Sequence, residues 1–243
     1  MKKALVTGAS RGIGYAIAKK LSQNGSAIVI TGRNIKTLES VARELGENVI
    51  PMVWDASEFD KAEEKINKAA DMLDGLDIVV NNAGIFAQRS EWDKNGLLNT
   101  TTKEWQDVMN VNASAVFFTM QASVKYMLKN NIKGNILNIT SAAGEEPVYG
   151  AYGGSKILAT GLTRGWGKMF APDGITINGI APGPVATEMN NWHEGDSMEH
   201  DRIPYGRFAT IDEIAELAMY LLDEKAKMIC GESIIIDGAY SIR

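Results

Sequence analysis

The chain contains 243 residues, of which 45% are hydrophobic and 23% charged, and its formal net charge at pH 7 is -5. This balance gives no support for a nucleic-acid partner, and no apolar run approaches the roughly 20 residues of a membrane span. With one cysteine, Cys230, and two histidines, neither an intrachain disulfide nor a zinc site of the usual Cys/His kind is expected. Because Met1 leads directly into a strand-like segment without the apolar stretch of a signal peptide, we expect a cytoplasmic protein without a metal.

The first 81 residues alternate between short apolar segments and amphipathic segments. Apolar residues recur at helical spacing in three of them, each of which is followed by a glycine. Strict alternation with short connections predicts a parallel sheet with helices on both faces, and right-handed crossovers make that sheet doubly wound. The predicted strands span 3–7, 27–31, 49–54 and 76–81, and the predicted helices span about 13–24, 38–45 and 57–75.

The rest of the chain continues this pattern after an irregular segment at 85–100. Capping boxes at Thr101 and Thr210 predict the starts of two helices, and the first of these should run to about Asn130. Further strands are predicted at 134–140, 175–181 and 233–237, a helix ending near 170, and an irregular segment at 182–207. With no repeat or linker, residues 1–243 are predicted to form one α/β domain. Its Rossmann-like, doubly wound parallel sheet should have about seven strands in three αβα layers.

Three glycines, Gly8, Gly12 and Gly14, separate the first predicted strand from the first predicted helix. Glycine lets the backbone approach a pyrophosphate closely, and the helix N-terminus supplies N–H groups and a positive dipole end. In this context the spacing Gly-x3-Gly-x-Gly predicts a dinucleotide site. The alternative is a tight strand–helix turn that binds no ligand.

The second predicted strand ends at Thr31-Gly32-Arg33 without a carboxylate. NAD-binding sheets usually place an acid there to hold the ribose 2′-hydroxyl. Arg33 could instead pair with a 2′-phosphate, with Arg11 of the glycine loop nearby, because arginine makes charge-assisted bonds to phosphate. We therefore predict NADP(H) over NAD(H), with a solvated loop cation as the alternative reading of Arg33.

Tyr152 and Lys156 are four residues apart, about one helical turn, so their side chains leave the same face of a helix. A phenol normally holds its proton to a pKa of about 10, and a nearby cation lowers that pKa toward a useful range. The pair is a candidate for proton transfer, although this spacing also occurs in many surface helices. Tyr149 is a rival, but Gly153 stands where its lysine should be.

The chain resembles the single-domain branch of the short-chain dehydrogenase/reductase family. The matching motifs are Thr7-Gly-Ala-Ser-Arg-Gly-Ile-Gly14, Asn81-Asn-Ala-Gly84, Asn112, Ser141, Tyr152-x3-Lys156 and Pro182-Gly183-x3-Thr187. They occur in the family's order and cover nearly the whole chain. Within the family the chain looks most like the 3-oxoacyl-thioester (acyl-carrier-protein) reductases, including the ending Gly231-Glu-Ser-Ile-Ile-Ile-Asp-Gly238.

This resemblance implies catalytic roles for four residues. Tyr152 would protonate the substrate carbonyl oxygen during reduction, and Lys156 would lower the tyrosine pKa and bond the nicotinamide ribose. Ser141 would donate a hydrogen bond to the substrate oxygen, and Asn112 would anchor a water linking Lys156 to solvent. Alternatively, Ser141 is a strand-end cap and Asn112 a buried helix amide with backbone partners.

The resemblance also implies a set of cofactor contacts. Asp55 would meet the adenine edge, Asn82 would line the ribose, and Thr187 with the backbone of Val185 would hold the carboxamide. The complete implied set is Gly8, Ser10, Arg11, Gly12, Ile13, Gly14, Arg33, Asp55, Ala56, Asn82, Gly84, Tyr152, Lys156, Pro182, Gly183, Val185 and Thr187.

The predicted helix that carries Tyr152 is unusually rich in glycine. Each interior glycine costs roughly 0.5–1 kcal/mol relative to alanine, so tertiary packing must hold this helix. We expect another helix to approach it closely, and in the resembled family that neighbour is often a partner subunit. The chain is therefore predicted to form a homo-oligomer, with a tetramer as the first choice. The glycines are Gly153, Gly154, Gly161, Gly165 and Gly167.

Three segments should border the substrate: 86–99, 146–149 and 188–202. The first looks several residues longer than in compact family members. Four side chains in these segments could form an apolar lid or could be scattered surface hydrophobes: Trp92, Met189, Trp192 and Met198.

The first candidate substrate is a 3-oxoacyl thioester, and a sugar, polyol or other small alcohol is the second. Acyl carrier protein is a possible partner, but docking this acidic protein needs a basic patch near the cleft, and the sequence does not support one. Segment 126–134 has lysines but no arginine, and segment 171–174 is acidic. A non-catalytic NADP-binding regulator is the alternative from another class. Such a sensor would not need all four candidate catalytic residues.

Overall fold

The computed structural model describes residues 1–86 and 93–242. Within them, one parallel sheet has the strand order β3-β2-β1-β4-β5-β6-β7. The order reverses between β1 and β4, so the connections that leave these two strands diverge to opposite faces of the sheet. The strands are β1 Lys3–Val6, β2 Ala27–Gly32, β3 Val49–Val53, β4 Ile78–Asn81, β5 Asn135–Ile139, β6 Thr176–Pro182 and β7 Ser233–Ile236.

Helices cover both faces of the sheet, as an all-parallel sheet requires. Among the described residues, no helix is long and apolar enough to cross a membrane. The helices are α1 Gly12–Gln23, α2 Ile35–Leu45, α3 Ala62–Leu73, α4 Lys94–Leu98, α5 Thr102–Met109, α6 Ala115–Lys129, α7 Ala151–Phe170 and α8 Ile211–Leu221.

The two hydrophobic layers follow from the alternation of side chains along each strand. On β1, Ala4 and Val6 face the layer that contains α1, α2 and α8, whereas Leu5 faces the layer that contains α3, α6 and α7. These three side chains are fully buried. The predicted fold class, a doubly wound parallel sheet between two helical layers, is confirmed.

Two sequence predictions need correction. The segment 85–100 was expected to be irregular, but its described part contains α4, which Asp93 caps by accepting a 2.7 Å hydrogen bond from the Gly96 N–H. The third helix was expected to open at Ser57, whereas a 3₁₀ turn at Phe59–Lys61 precedes α3. The first error is a five-residue helix too short to show a hydrophobic period, and the second concerns a helix start, where assignments vary by one or two residues.

The predicted helix from 102 to about 130 is one continuous rod with an inserted π turn at Asn110–Ser114. It begins at Thr101 with the capping box that the sequence indicates, and Glu104 completes it. The π turn joins α5 to α6 and carries Asn112. Such turns add one residue to a helix and often occur at functional sites.

Candidate active site

A cleft of about 1060 Å³ opens at the carboxyl ends of the strands. Its walls come from the connections that follow β1 to β6, so segments from all parts of the chain meet there. Open α/β sheets bind ligands at this edge, where the strand order reverses. The structure places most of the predicted site residues in this one cleft. Gly14 and Asn112 are the exceptions.

The glycine loop is joined to the segment that follows β4. The Asn82 side-chain amide donates to the carbonyls of Thr7 (2.8 Å) and Gly8 (3.0 Å), and the Thr7 hydroxyl accepts from the Asn82 N–H at 3.0 Å. A Cβ at Gly8 would lie 2.8 Å from the Ala83 Cα, and one at Gly14 would lie 2.3 Å from Asn82 Nδ2. Gly14 therefore packs beneath the loop, while Gly8 and Gly12 line the cleft.

At one end of the cleft lie Arg33, Asp55 and Ala56, which follow β2 and β3. The Asp55 carboxylate accepts hydrogen bonds from the N–H (2.9 Å) and the hydroxyl (2.8 Å) of Ser57, which fixes its orientation. Arg33 is exposed, and none of the ion pairs in the described part of the chain involves it. Its guanidinium can therefore pair with an anion in the cleft.

Arg11 makes a contact that the sequence did not indicate. Its guanidinium lies 2.6 Å from the carboxylate of Glu188, which comes from the segment after β6. The ion pair bridges two walls of the cleft and is mostly exposed, with 72% and 57% of the two side chains accessible. Arg11 was expected to lie near Arg33 and a 2′-phosphate. Its positive charge is matched by Glu188, whereas none of the ion pairs among the described residues involves Arg33.

Tyr152 and Lys156 lie on one face of α7 and both line the cleft. They are almost completely buried, at 9% and 6% exposure. The Lys156 ammonium donates to the Ile139 carbonyl at 2.9 Å and lies 5.7 Å from the centre of the Tyr152 ring. Burial lowers the pKa of Lys156 to about 8. A lysine held this way can change its charge near neutral pH.

Ser141 lies two residues after the end of β5 and lines the same cleft. Its hydroxyl oxygen accepts a 3.2 Å hydrogen bond from the Ala143 N–H and so caps the short 3₁₀ helix Ala142–Gly144. The cap uses a lone pair of the oxygen and not the hydroxyl proton. Ser141 can therefore be a strand-end cap and also donate to a ligand.

Gly144 sets how closely the Ser141 loop approaches α7. A Cβ built there would lie 2.8 Å from the carbonyl oxygen of Lys156 and 3.1 Å from the Thr160 hydroxyl. Since the first of these neighbours is helix backbone, it cannot turn aside as a flexible side chain would. The contact holds Ser141 and Tyr152 at a fixed spacing.

We expect Gly144→Ala to lower kcat by about 10- to 100-fold, because misplacing a reacting group by about 1 Å has that order of effect. The dinucleotide loops lie elsewhere, so the dissociation constant for NADPH should change little. Both quantities can be measured by steady-state kinetics and cofactor fluorescence. Gly154→Ala is the matched control, since its Cβ would meet only Val148 at 3.8 Å. An unchanged kcat in Gly144→Ala would contradict this reading.

Asn112 is buried in the π turn, and its side chain faces the segment after β4. Its amide oxygen accepts from the Ile85 N–H at 2.9 Å, and its amide nitrogen donates to the Ile85 carbonyl at 2.8 Å. This side chain therefore has the backbone partners that the alternative reading described. The water-anchoring role stays a prediction, and the second lone pair of the amide oxygen, the second amide hydrogen or the backbone of Asn112 would have to serve it.

The end of β6 and the connection after it form the far wall of the cleft with Pro182, Gly183, Val185 and Thr187. A Cβ at Gly183 would lie 2.5 Å from the Cβ of Asp237, so only glycine fits this close approach to the segment after β7. The Thr187 hydroxyl donates to the Val185 carbonyl at 3.3 Å. This long, weak bond leaves the hydroxyl oxygen able to accept from a ligand.

The segment 182–207, expected to be irregular, contains a 3₁₀ turn at Glu188–Asn190 and a β-bridge between Glu199 and Arg207. Of the four proposed lid residues, Met189 and Trp192 line the cleft. Met198 does not, and Trp92 lies outside the described residues.

Glu188 and Phe86 fall in segments that were expected to border the substrate, but their contacts with Arg11 and Tyr152 were not indicated by the sequence, and the close-fitting Gly144 was not identified. The Phe86 ring meets the Tyr152 ring at 4.4 Å between centroids. None of them belongs to a local pattern, so no short-range signal could have identified them. In the described part of the chain, no three His, Cys, Asp or Glu residues lie close enough to hold a metal ion.

A family model described as "Enoyl-(Acyl carrier protein) reductase" matches residues 8–241. The chain is 34% identical to a 3-oxoacyl-[acyl-carrier-protein] reductase of Aquifex aeolicus, over 98% of this chain and 96% of that protein. It is 33% identical to a gluconate 5-dehydrogenase of Gluconobacter oxydans, over 99% and 94% of the two chains. A 3-ketoacyl-(acyl-carrier-protein) reductase of Brucella melitensis, solved in complex with NADH, superposes with a TM-score of 0.89. In that pair, 27% of residues are identical and 99% and 98% of the chains are covered.

Proposed function

We propose a cofactor and a substrate for this chain from the premise that it belongs to the short-chain dehydrogenase/reductase family and is an oxidoreductase acting on ketone or secondary-alcohol groups. We propose that its cofactor is NADP(H) and that a 3-oxoacyl thioester is its first candidate substrate. The observation that carries the proposal is the buried Tyr152 and Lys156 pair, which lines one cleft with Ser141 and the glycine loop.

The residues of the cleft fit a dinucleotide. The glycine loop brings backbone to the cleft wall where a Cβ at Gly8 would collide with Ala83, and α1 begins directly behind it. The bound nicotinamide supplies or accepts the hydride in this chemistry. We propose that the cofactor is bound by the residues that the family resemblance implies. Gly14 contributes by packing beneath the glycine loop, and Arg11 contributes while paired with Glu188.

In the proposed mechanism the protein positions the carbonyl and manages one proton. The Ser141 hydroxyl donates a hydrogen bond to the carbonyl oxygen and so orients it toward the phenol of Tyr152. Tyr152 gives its proton to that oxygen as the alcohol forms, and takes it back in the reverse direction. Lys156 stabilises the resulting phenolate, while Asn112 holds the neighbouring Ile85 backbone in place.

The cofactor proposal depends on Arg33 and predicts that Arg33→Asp reverses cofactor preference. Loss of a charge-assisted bond of about 1.5–3 kcal/mol should lower kcat/KM for NADPH by about 10- to 100-fold. Catalytic efficiency with NADH should be retained or should rise, because the new carboxylate can accept from a ribose hydroxyl.

Kinetics with both cofactors measure this selectivity. Arg43→Asp is the matched control, because Arg43 lies on the exposed side of α2 and outside the cleft. Unchanged selectivity in Arg33→Asp would remove the electrostatic argument. Because the Brucella relative was solved in complex with NADH, the protein must be assayed with NADH as well as with NADPH.

The substrate proposal is tested by mixing the protein and NADPH with a panel of 3-oxoacyl thioesters, sugars, polyols and simple ketones. Turnover is followed by NADPH absorbance. Fastest turnover of a thioester would support the first candidate, and fastest turnover of a sugar or polyol would support the second. Sugars and polyols are included because the chain is 33% identical to a gluconate 5-dehydrogenase. Binding of NADPH without any turnover would instead support a non-catalytic regulator.

We also propose a homotetramer. On α7, Gly161 and Gly165 face open space within the chain, and the neighbouring Ile157 and Leu158 are 45% and 44% exposed. A partner helix on this face would bury these side chains and would explain glycines that do not pack inside the chain. Gly167 needs no partner, because the backbone of Gly231 meets it within the chain.

Light scattering at micromolar concentration should give four times the mass of one chain, and Ile157→Glu should lower it by placing a charge in the interface. Lys36→Glu, on exposed α2, is the control. A monomeric mass for the parent protein would contradict the proposal. We further propose that residues 1–243 act as one domain in the cytoplasm.

A further inference from the structure

In the described part of the chain, the aromatic side chain of Phe86 contacts the candidate proton donor. Its ring lies 4.4 Å from the Tyr152 ring between centroids, at an interplanar angle of 63°. Edge contacts of this kind are favourable in themselves. Phe86 also lines the cleft and is 38% exposed, so part of its ring forms the surface that a ligand would meet.

The backbone beside Phe86 is held by hydrogen bonds to a buried side chain. The preceding residue, Ile85, has both its N–H and its carbonyl bonded to the side-chain amide of Asn112, at 2.9 Å and 2.8 Å. Asn112 is 1% exposed and belongs to the helical rod α5–α6. Ile85 also packs against the small apolar cluster that contains Val108 and Tyr152. The backbone that leads into Phe86 is therefore anchored to the helical rod, and the ring packs against Tyr152 at the cleft wall.

Three described residues that line the cleft together with Tyr152 differ in chemistry from one another. Lys156 presents a buried ammonium, and Ser141 presents a hydroxyl, so both suit the carbonyl oxygen of a substrate. Phe86 offers only an apolar ring. An alkyl group that lies against this ring is stabilised by its removal from water. A hydroxyl group in the same place loses its hydrogen bonds to water and gains none from the ring, so binding of alkyl carbon is favoured over binding of hydroxylated carbon.

We infer that Phe86 is a specificity-determining residue. It selects ketones whose carbonyl carries, on the Phe86 side, an unhydroxylated alkyl substituent of limited size. This inference rests on the proposed carbonyl reduction and deepens it. It favours acyl chains over polyols at the carbon beside the reacting centre.

Symmetrical ketones test the inference, because the same group lies on the Phe86 side in either orientation. Diethyl ketone and dihydroxyacetone have similar shapes and differ in methyl against hydroxyl groups. The parent protein with NADPH should give a kcat/KM at least about tenfold higher for diethyl ketone, since an unpaired hydroxyl against an apolar wall costs about 1–3 kcal/mol. Equal efficiency, or a preference for dihydroxyacetone, would overturn the inference.

The size limit is tested with acetone, diethyl ketone and diisopropyl ketone. Phe86→Ala should raise the efficiency for diisopropyl ketone relative to acetone by about tenfold or more, the discrimination that a few carbon atoms of pocket space can supply. Phe86→Leu should change this ratio less, because it keeps most of the apolar volume. Phe59→Ala is the matched control, since Phe59 stacks on Phe118 outside the cleft.

A ratio that stays within twofold in Phe86→Ala would overturn the size limit. Circular dichroism and NADPH binding establish that the variant is folded. Where a symmetrical ketone is bound but not reduced, its inhibition constant against the best substrate of the panel replaces kcat/KM. Failure of the proposed function has a different signature, since the parent protein would then bind NADPH and reduce no ketone.

Discussion

Tyr152→Phe is expected to lower kcat by about 10²- to 10⁴-fold, the usual contribution of a positioned general acid. The substitution removes one oxygen and the proton it carries, while the ring can keep its contact with Phe86 and its place beside Lys156. KM for the ketone should change much less than kcat. Steady-state kinetics with the best substrate of the panel measure both quantities.

Tyr149→Phe is the matched control. Tyr149 lies three residues before Tyr152, is 52% exposed, and precedes α7 instead of belonging to it. The same loss of a phenol oxygen there should leave kcat within about threefold of the parent value, as expected for a surface change. Substantial activity in Tyr152→Phe would refute the proposed proton donor, and a large loss in Tyr149→Phe alone would transfer the role to that residue.

Lys156→Met is expected to abolish most activity and at the same time to stabilise the fold at pH 7. Burial lowers the pKa of Lys156 from 10.5 to about 8, which corresponds to about 3 kcal/mol of destabilisation while the lysine is charged. Methionine has a similar length and no charge, but it loses the hydrogen bond to the Ile139 carbonyl, worth about 1 kcal/mol. The expected net gain is about 2 kcal/mol, or about 4–8 °C in Tm for a chain of this size.

The pH dependence has a defined sign. The folded-state pKa of Lys156 lies below the unfolded value, so the penalty is fully present below pH 8 and disappears as the pH rises toward 10.5. The Tm advantage of Lys156→Met should therefore be greatest at pH 7 and should shrink between pH 8 and pH 10. Thermal unfolding followed by circular dichroism across this range measures it.

Lys168→Met is the control for this prediction, since Lys168 lies on the same helix with its side chain exposed and should show neither effect. A Lys156→Met protein less stable than the parent at pH 7 would contradict the argument. That result would mean that the ammonium stabilises the fold through its contacts. The expected trade of stability for activity is common at catalytic sites.

The sequence alone determined the framework of this protein, because its signals are local. Apolar residues at strand and helix periods, and capping boxes such as those at Thr101 and Thr210, specified the order of elements. Glycines between a strand and a helix marked the nucleotide loop, and a spacing of four placed Tyr152 and Lys156 on one face. These features depend on neighbours within about one turn of the chain, and such neighbours can be read from spacing.

Tertiary structure decided what surrounds those residues. Arg11 meets Glu188, Asn112 holds Ile85, and Phe86 contacts Tyr152, and in each pair the two residues are distant in sequence. Right-handed crossovers bring the ends of all the strands to one edge, so these neighbours follow from the packing of whole elements.

The lowered pKa of Lys156 is a further example, because it arises from burial and not from a sequence neighbour. Sequence spacing indicated that the cation would lie beside the phenol. The low-polarity surroundings that let this lysine titrate near neutrality are produced only when β5, α7 and the Ser141 loop pack together.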